Sequence, residues 1–151
     1  MSHRPIVLDG DGANVTTISG SRALIVEDDE GVRLSLARII GKAGYLVAFV
    51  STAREAIAEI CDEAPDIVFT DIFMPGTDGF ELMNWLRRRK RPIPLVAMSG
   101  ANRTLTGQLG LASKLGAKAT ISKPFRDQDV LDAIEAAVGD RKSPWPGRRW
   151  D

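Results

Sequence analysis

Four polar groups end short apolar runs in this chain, and their types define the chemistry open to it. Glu27-Asp28-Asp29 follows Ala23-Leu24-Ile25-Val26, Asp71 follows Ile67-Val68-Phe69-Thr70, Ser99 follows Pro94 to Met98, and Lys123 follows Ala119 to Ser122. Carboxylates brought together repel one another, and they stay ionised together at neutral pH only where a cation offsets them. His3 is the sole histidine and Cys61 the sole cysteine, so oxygen donors are what remain for a metal. Mg²⁺ fits such a set, since it takes one or two carboxylates, a carbonyl, several waters and commonly a phosphate oxygen. Lys123 would bring a point charge to a phosphoryl oxygen, and the Ser99 hydroxyl would donate a hydrogen bond to another. Taken alone, each residue is a weak signal: Asp71 by itself reads equally well as a solvated turn residue or a helix cap.

Parallel strands can bring these residues together. Short continuous apolar runs predict strands at Ala23–Val26, Leu46–Val50, Ile67–Phe69, Pro94–Met98 and Ala119–Ser122. Between them, Val32, Leu36, Ile39, Ile40 and Ala43 form one face of a first helix that Gly44 can end. Thr52-Ala53-Arg54-Glu55 has the capping-box form that starts a second helix, carrying Ala56, Ile57 and Ile60 inward. Phe80 to Arg89 presents Leu82, Met83 and Leu86. Gly107 and Gly110 interrupt Ala101 to Gly116, which reads as a mobile loop followed by a helix through about Leu115. Asp127 to Val138 aligns Val130, Leu131, Ile134 and Val138. Five strands alternating with five helices imply right-handed crossovers and an α/β, doubly wound parallel sheet covered on both faces. In such a sheet the carboxyl ends of all strands share one edge, where ligands bind, so the four polar groups converge there.

The 151 residues suffice for one domain, and 20 acidic residues balance 20 basic ones, so no overall field points to nucleic acid or an anionic membrane. No apolar run approaches a membrane span, and the start lacks the order of a signal peptide, so a cytoplasmic protein is expected. Residues 1–21 read as a flexible arm, 22–139 as the domain, and 140–151 as a flexible tail, for which Trp145 and Trp150 offer a docking alternative. Cys61 is expected to be a buried structural thiol. Arg87-Arg88-Arg89-Lys90-Arg91 is expected to be a solvated helix end, with a docking patch as the lesser alternative.

From Arg22 to Val138 the chain resembles the response-regulator receiver domain of two-component signalling. Ala-Leu-Ile-Val-Glu-Asp-Asp-Glu resembles the family's acidic first-strand end, Pro-Asp-Ile-Val-Phe-Thr-Asp-Ile-Phe-Met-Pro-Gly-Thr-Asp-Gly its phosphorylation segment, Ala-Met-Ser-Gly its hydroxyl switch and Ser-Lys-Pro-Phe its lysine motif. The resemblance implies a flavodoxin-like strand order 2-1-3-4-5 and a signalling protein rather than an enzyme. It implies that Asp71 is the phosphoacceptor assisted by Lys123 and Ser99, and that Asp28, Asp71 and the carbonyl of Phe73 ligate Mg²⁺, with Glu27 acting through water. Asp29 falls beyond the matched pair and reads as a cap for the first helix, and the Lys123-Pro124 bond is cis in the family. The implied partners are a sensor histidine kinase or histidine phosphotransfer protein and a downstream protein target, with the chain a stand-alone regulator, monomeric or weakly dimeric.

Two positions depart from the family pattern. Thr120 stands three residues before the lysine, where the family usually has Tyr or Phe, so the usual aromatic coupling gives way to a switch through the backbone after Ser99, or to weak switching. Phe73 and Ala101 occupy positions that govern water access to the phosphoryl group, and a bulky Phe73 predicts a long-lived phosphoryl state. A phosphatase of the haloacid dehalogenase type would want a second acid two residues after Asp71, where Phe73 stands. The main rival is a degenerate receiver that binds proteins without being phosphorylated.

Overall fold

Residues 21–72, 79–100, 114 and 116–139 are described by the structure, a computed structural model. Five strands, β1 (Arg22–Val26), β2 (Leu46–Val50), β3 (Ile67–Asp71), β4 (Leu95–Gly100) and β5 (Ala119–Lys123), form one parallel sheet in the order β2-β1-β3-β4-β5. Among the described residues, helices α1 (Glu30–Lys42), α2 (Ala53–Asp62), α3 (Gly79–Arg87) and α4 (Asp127–Val138) accompany them. The helix expected within 101–115, the mobility expected of that segment, and the two terminal segments lie outside the described residues.

Strand alternation splits the core into two layers. Ile25, Phe69, Val96, Met98 and Ile121 face α1 and α4, meeting Leu36, Ile40, Val130 and Ile134. Leu24, Val26, Val68, Leu95 and Ala97 face the other way onto α2 and α3, meeting Ala56, Ile60, Leu82, Met83 and Leu86. Each large side chain among these, once buried, contributes about 2 kcal/mol of apolar stabilisation, and the inner strands β1 and β3 read as apolar runs because both their faces are covered, whereas at the edge strand β5 only Ile121 is buried.

Local signals set the element ends. Asp29 caps α1, its side chain accepting from the Val32 N–H at 2.9 Å. Thr52 caps α2 through the Glu55 N–H at 3.1 Å, while the Glu55 carboxylate reaches back to the Ser51 N–H at 3.1 Å. Gly44, at φ 106°, reverses the chain after α1 in the left-handed region. Gly44→Ala is therefore expected to lower stability by about 1 kcal/mol, measured by urea denaturation; an unchanged midpoint would contradict the turn.

Two expected core positions are corrected. Cys61 is exposed, not a buried thiol. The buried stripe of α2 runs through Ala53, Ala56 and Ile60, and Cys61 is one residue on, about 100° round the helix. Leu131 is likewise exposed because the α4 stripe runs through Val130, Ala133, Ile134 and Val138.

Candidate functional site

Register brings the strand ends level. Val26 pairs with both Val50 and Thr70, Asp71 with Met98, and Gly100 with Lys123. Glu27 and Asp71 therefore emerge on neighbouring strands at the same edge. The approach to Asp71 is tightly built: all five residues of β3 are buried, the Thr70 hydroxyl donates to the Asp71 carbonyl at 3.0 Å, and the Ile72 N–H donates to the Met98 carbonyl at 3.0 Å. Across the intervening segment, the Gly79 N–H donates to the Ile72 carbonyl at 2.8 Å. A Cβ on Gly79 would press against the Asp71 carbonyl oxygen and lie 2.8 Å from the Ile72 Cα, so only glycine lets α3 start this close to the aspartate's backbone. The sequence reading passed over Gly79, although an Asp-Gly pair ahead of a helical pattern was available as a signal.

The three acids after β1 part company. Glu27 is fully buried, Asp28 is exposed at the rim, and Asp29 leaves to cap α1. The Asp28 N–H donates to Glu27 Oε2 at 3.1 Å, which turns the Glu27 carboxylate toward the crevice. Lys123, at the end of β5, spans the site, its Nζ donating to Asp71 Oδ2 at 2.7 Å and to Glu27 Oε1. Ligand oxygens of Glu27, Asp28 and Asp71 lie within 4.8 Å of one another. Ser99 is fully buried at the end of β4, one residue beyond the partner of Asp71. Thr120 is exposed on β5, in register with Ala97. The Lys123-Pro124 bond is cis. Phe73 and Ala101 lie outside the described residues.

Electrostatics follow from this packing. Burial pushes the Glu27 carboxyl up from 4.5 to about 7, with the negative charge of Asp71 adding to the rise and Lys123 opposing it. Burial works against the Lys123 ammonium as well, but its bonds to Asp71 and Glu27 prevail and hold its pKa above 10.5. A carboxyl that binds its proton more tightly when folded contributes stability fully present below 4.5 and lost as pH rises through about 7. At about 1.4 kcal/mol for each tenfold change in proton affinity, that loss is a little over ~3 kcal/mol. Lys123 adds no slope in this window, because its contribution fades only above its ordinary pKa. Without divalent cations, stability is thus expected to fall between pH 5 and 8, and Glu27→Gln to flatten the slope, as followed by urea denaturation at each pH. Equal slopes in the two proteins would show that Glu27 is not the group responsible.

Three carboxylates of graded exposure, with no nitrogen or sulfur donor among them, suit a hard divalent cation. The cation already in place, Lys123, shows that the fold tolerates positive charge between Glu27 and Asp71. An acidic cluster with a tethered ammonium at a sheet's carboxyl edge can receive an anionic group whose charge would otherwise be repelled.

Comparison with known proteins agrees with this geometry. The family model for the response regulator receiver domain matches residues 23–135. Nodulation protein W of Bradyrhizobium diazoefficiens is 32% identical over 137 residues, covering 88% of this chain and 58% of that protein. Response regulator MprA of Mycolicibacterium vanbaalenii is 33% identical over 117 residues, covering 78% of this chain and 50% of that one. The chain spans about half the length of these curated relatives. Among solved structures, the receiver domain of NtrX from Brucella abortus superposes with a TM-score of 0.72 at 29% identity, covering 78% of this chain and 98% of that one. FixJ-N superposes with a TM-score of 0.72 at 31% identity, covering 83% and 99%. With its 2-1-3-4-5 parallel sheet, its acidic cluster and this match across most of its length, the chain belongs to the response regulator receiver domain family.

Proposed function

We propose that Asp71 accepts a phosphoryl group from a phosphohistidine on a sensor kinase or phosphotransfer protein, and that the aspartyl phosphate changes which proteins the receiver docks. The observation that carries this reading is the placement of Asp71 at the buried end of β3, where Lys123 Nζ bridges its carboxylate, at 2.7 Å, and that of buried Glu27. Attack by an Asp71 oxygen forms a P–O bond as the donor's P–N bond breaks and its electron pair leaves with the imidazole. Lys123, now bonded to Asp71, is within reach of the incoming phosphoryl oxygens, where it offsets their charge. Asp28 and Asp71, with the Phe73 carbonyl and with Glu27 through water, are the residues that would hold Mg²⁺, which when bound neutralises negative charge on the transferring group.

Ser99 supplies the response. Its hydroxyl sits at the end of β4, beside the strand that ends in Asp71, and moving toward a phosphoryl oxygen pulls the chain that follows Gly100. Thr120 is exposed and lacks the large ring that would couple to this motion, so the switch runs through the backbone after Ser99.

The test is intact-protein mass after incubation with acetyl phosphate, with Mg²⁺ or with a chelator, followed by borohydride reduction and peptide mapping. One phosphoryl group is expected, dependent on Mg²⁺, with the reduced residue at position 71. Phosphate on another residue would overturn the assignment, and no uptake together with no beryllofluoride binding would favour the phosphorylation-independent binding module.

A further inference from the structure

The sheet's other edge carries a feature that phosphoryl chemistry does not use. A groove of about 480 Å³ lies where α3 ends, β4 begins and α4 ends. Met83, Leu86, Leu95 and Val138 form its apolar floor, and Arg87 and Lys118 its charged rim. Gly139, the residue after α4, is itself part of the wall, and residues 140–151 follow it in sequence.

That segment is charged throughout except at Ser143-Pro144-Trp145-Pro146-Gly147 and at Trp150. Proline fixes its own φ and confines the residue before it to extended conformations, so the sequence Ser143 to Pro146 favours a stiff arm with Trp145 as its one large side chain. Trp145 lies six positions after Gly139, a reach of up to about 20 Å, comparable to the length of a strand. A pre-extended arm loses little conformational freedom on docking, and an indole is the side chain best suited to fill an apolar groove with a polar rim. Asp140, first to leave the wall, carries the sign that Arg87 and Lys118 attract. Arg141, Lys142, Arg148 and Arg149 match the rim in sign, which favours the solvent side for them.

We propose that Trp145 docks in this groove within its own chain, so that residues 140–146 clasp the end of α4 to α3 and the start of β4. The other occupants of such a groove, a second copy of the chain or an acidic partner, are separated from this one by the test.

The test reads Trp145 in the 151-residue chain with Trp85→Phe and Trp150→Phe, which leave it as the only indole. If Trp145 is docked three-quarters of the time, acrylamide quenching falls roughly fourfold relative to the same protein in urea, and emission shifts to the blue. Ala136→Arg, at an exposed wall position, is expected to abolish that protection without loosening the core. As a check in the otherwise unaltered chain, Trp145→Ala removes a protected fraction of the fluorescence, whereas Trp150→Ala does not. Quenching equal to that in urea would overturn the proposal, as would protection that survives Ala136→Arg or grows with protein concentration, the last marking exchange between copies.

Discussion

The Asp71→Asn protein is expected to take up no phosphoryl group from acetyl phosphate, at least ~10³-fold below the native chain by intact mass. An amide oxygen lacks the charge and nucleophilicity of the carboxylate, and the neighbouring acids do not replace it. Glu27 has one oxygen on Lys123 and the other on the Asp28 N–H, while Asp28 stands at the exposed rim. The fold is expected to persist and to gain about 1 kcal/mol at pH 8 without divalent cations. Asp71 adds to the rise in the Glu27 pKa, so neutralising it removes one repulsion and leaves Lys123 to the buried glutamate. Urea denaturation at pH 8 checks the second half. Phosphorylation of the Asn protein at the native rate would move the acceptor elsewhere in the cluster.

Lys123→Met has two expected effects. Removing a cation that contacts the acceptor should slow phosphoryl uptake by about 10²–10³-fold, the scale found when one charge-stabilising donor is lost from a transition state. The same change leaves Glu27 fully buried beside Asp71 with no counter-charge. Losing one partner of a buried pair costs about 3 kcal/mol, at the lower end here because Lys123 keeps some contact with solvent. Glu27 can escape by binding a proton, so the deficit should shrink below about pH 6 and be largest at pH 8. Saturating Mg²⁺ should restore part of it at pH 8. Stability curves at both pH values, with and without Mg²⁺, measure this directly. A deficit independent of pH would mean that Lys123 acts through packing of its aliphatic stem alone.

Much of this was legible in the residues. Ala23–Val26, Leu46–Val50 and Ile67–Phe69 are strands because an apolar run too short for a helix has to be covered on both faces. Their alternation with helical periods leaves few arrangements besides the parallel sheet observed. The convergence of Glu27, Asp71 and Lys123 followed from that topology. What did not follow was the division of labour among Glu27, Asp28 and Asp29, because burial is decided by how far β1 runs before the chain turns, and three adjacent acids look alike in sequence. The Lys123–Glu27 bond spans 96 positions and no local pattern encodes it. Cys61 and Leu131 were misplaced because an apolar stripe on a helix has a soft edge: a residue about 100° from its centre belongs to neither face until the sheet's position is known. Gly79 was missed because its role lies in what it lets α3 approach rather than in anything it does itself.

Glu27, Asp71, Ser99 and Lys123 are all carried by strands or by the residue following one, and their mutual spacing is set by the ladder, at about 4.8 Å from strand to strand. The helices decide only what covers the sheet. Their outward faces can drift without moving any reacting group. A lineage that duplicates such a gene can therefore rewrite the recognition surface of one copy while both keep their chemistry.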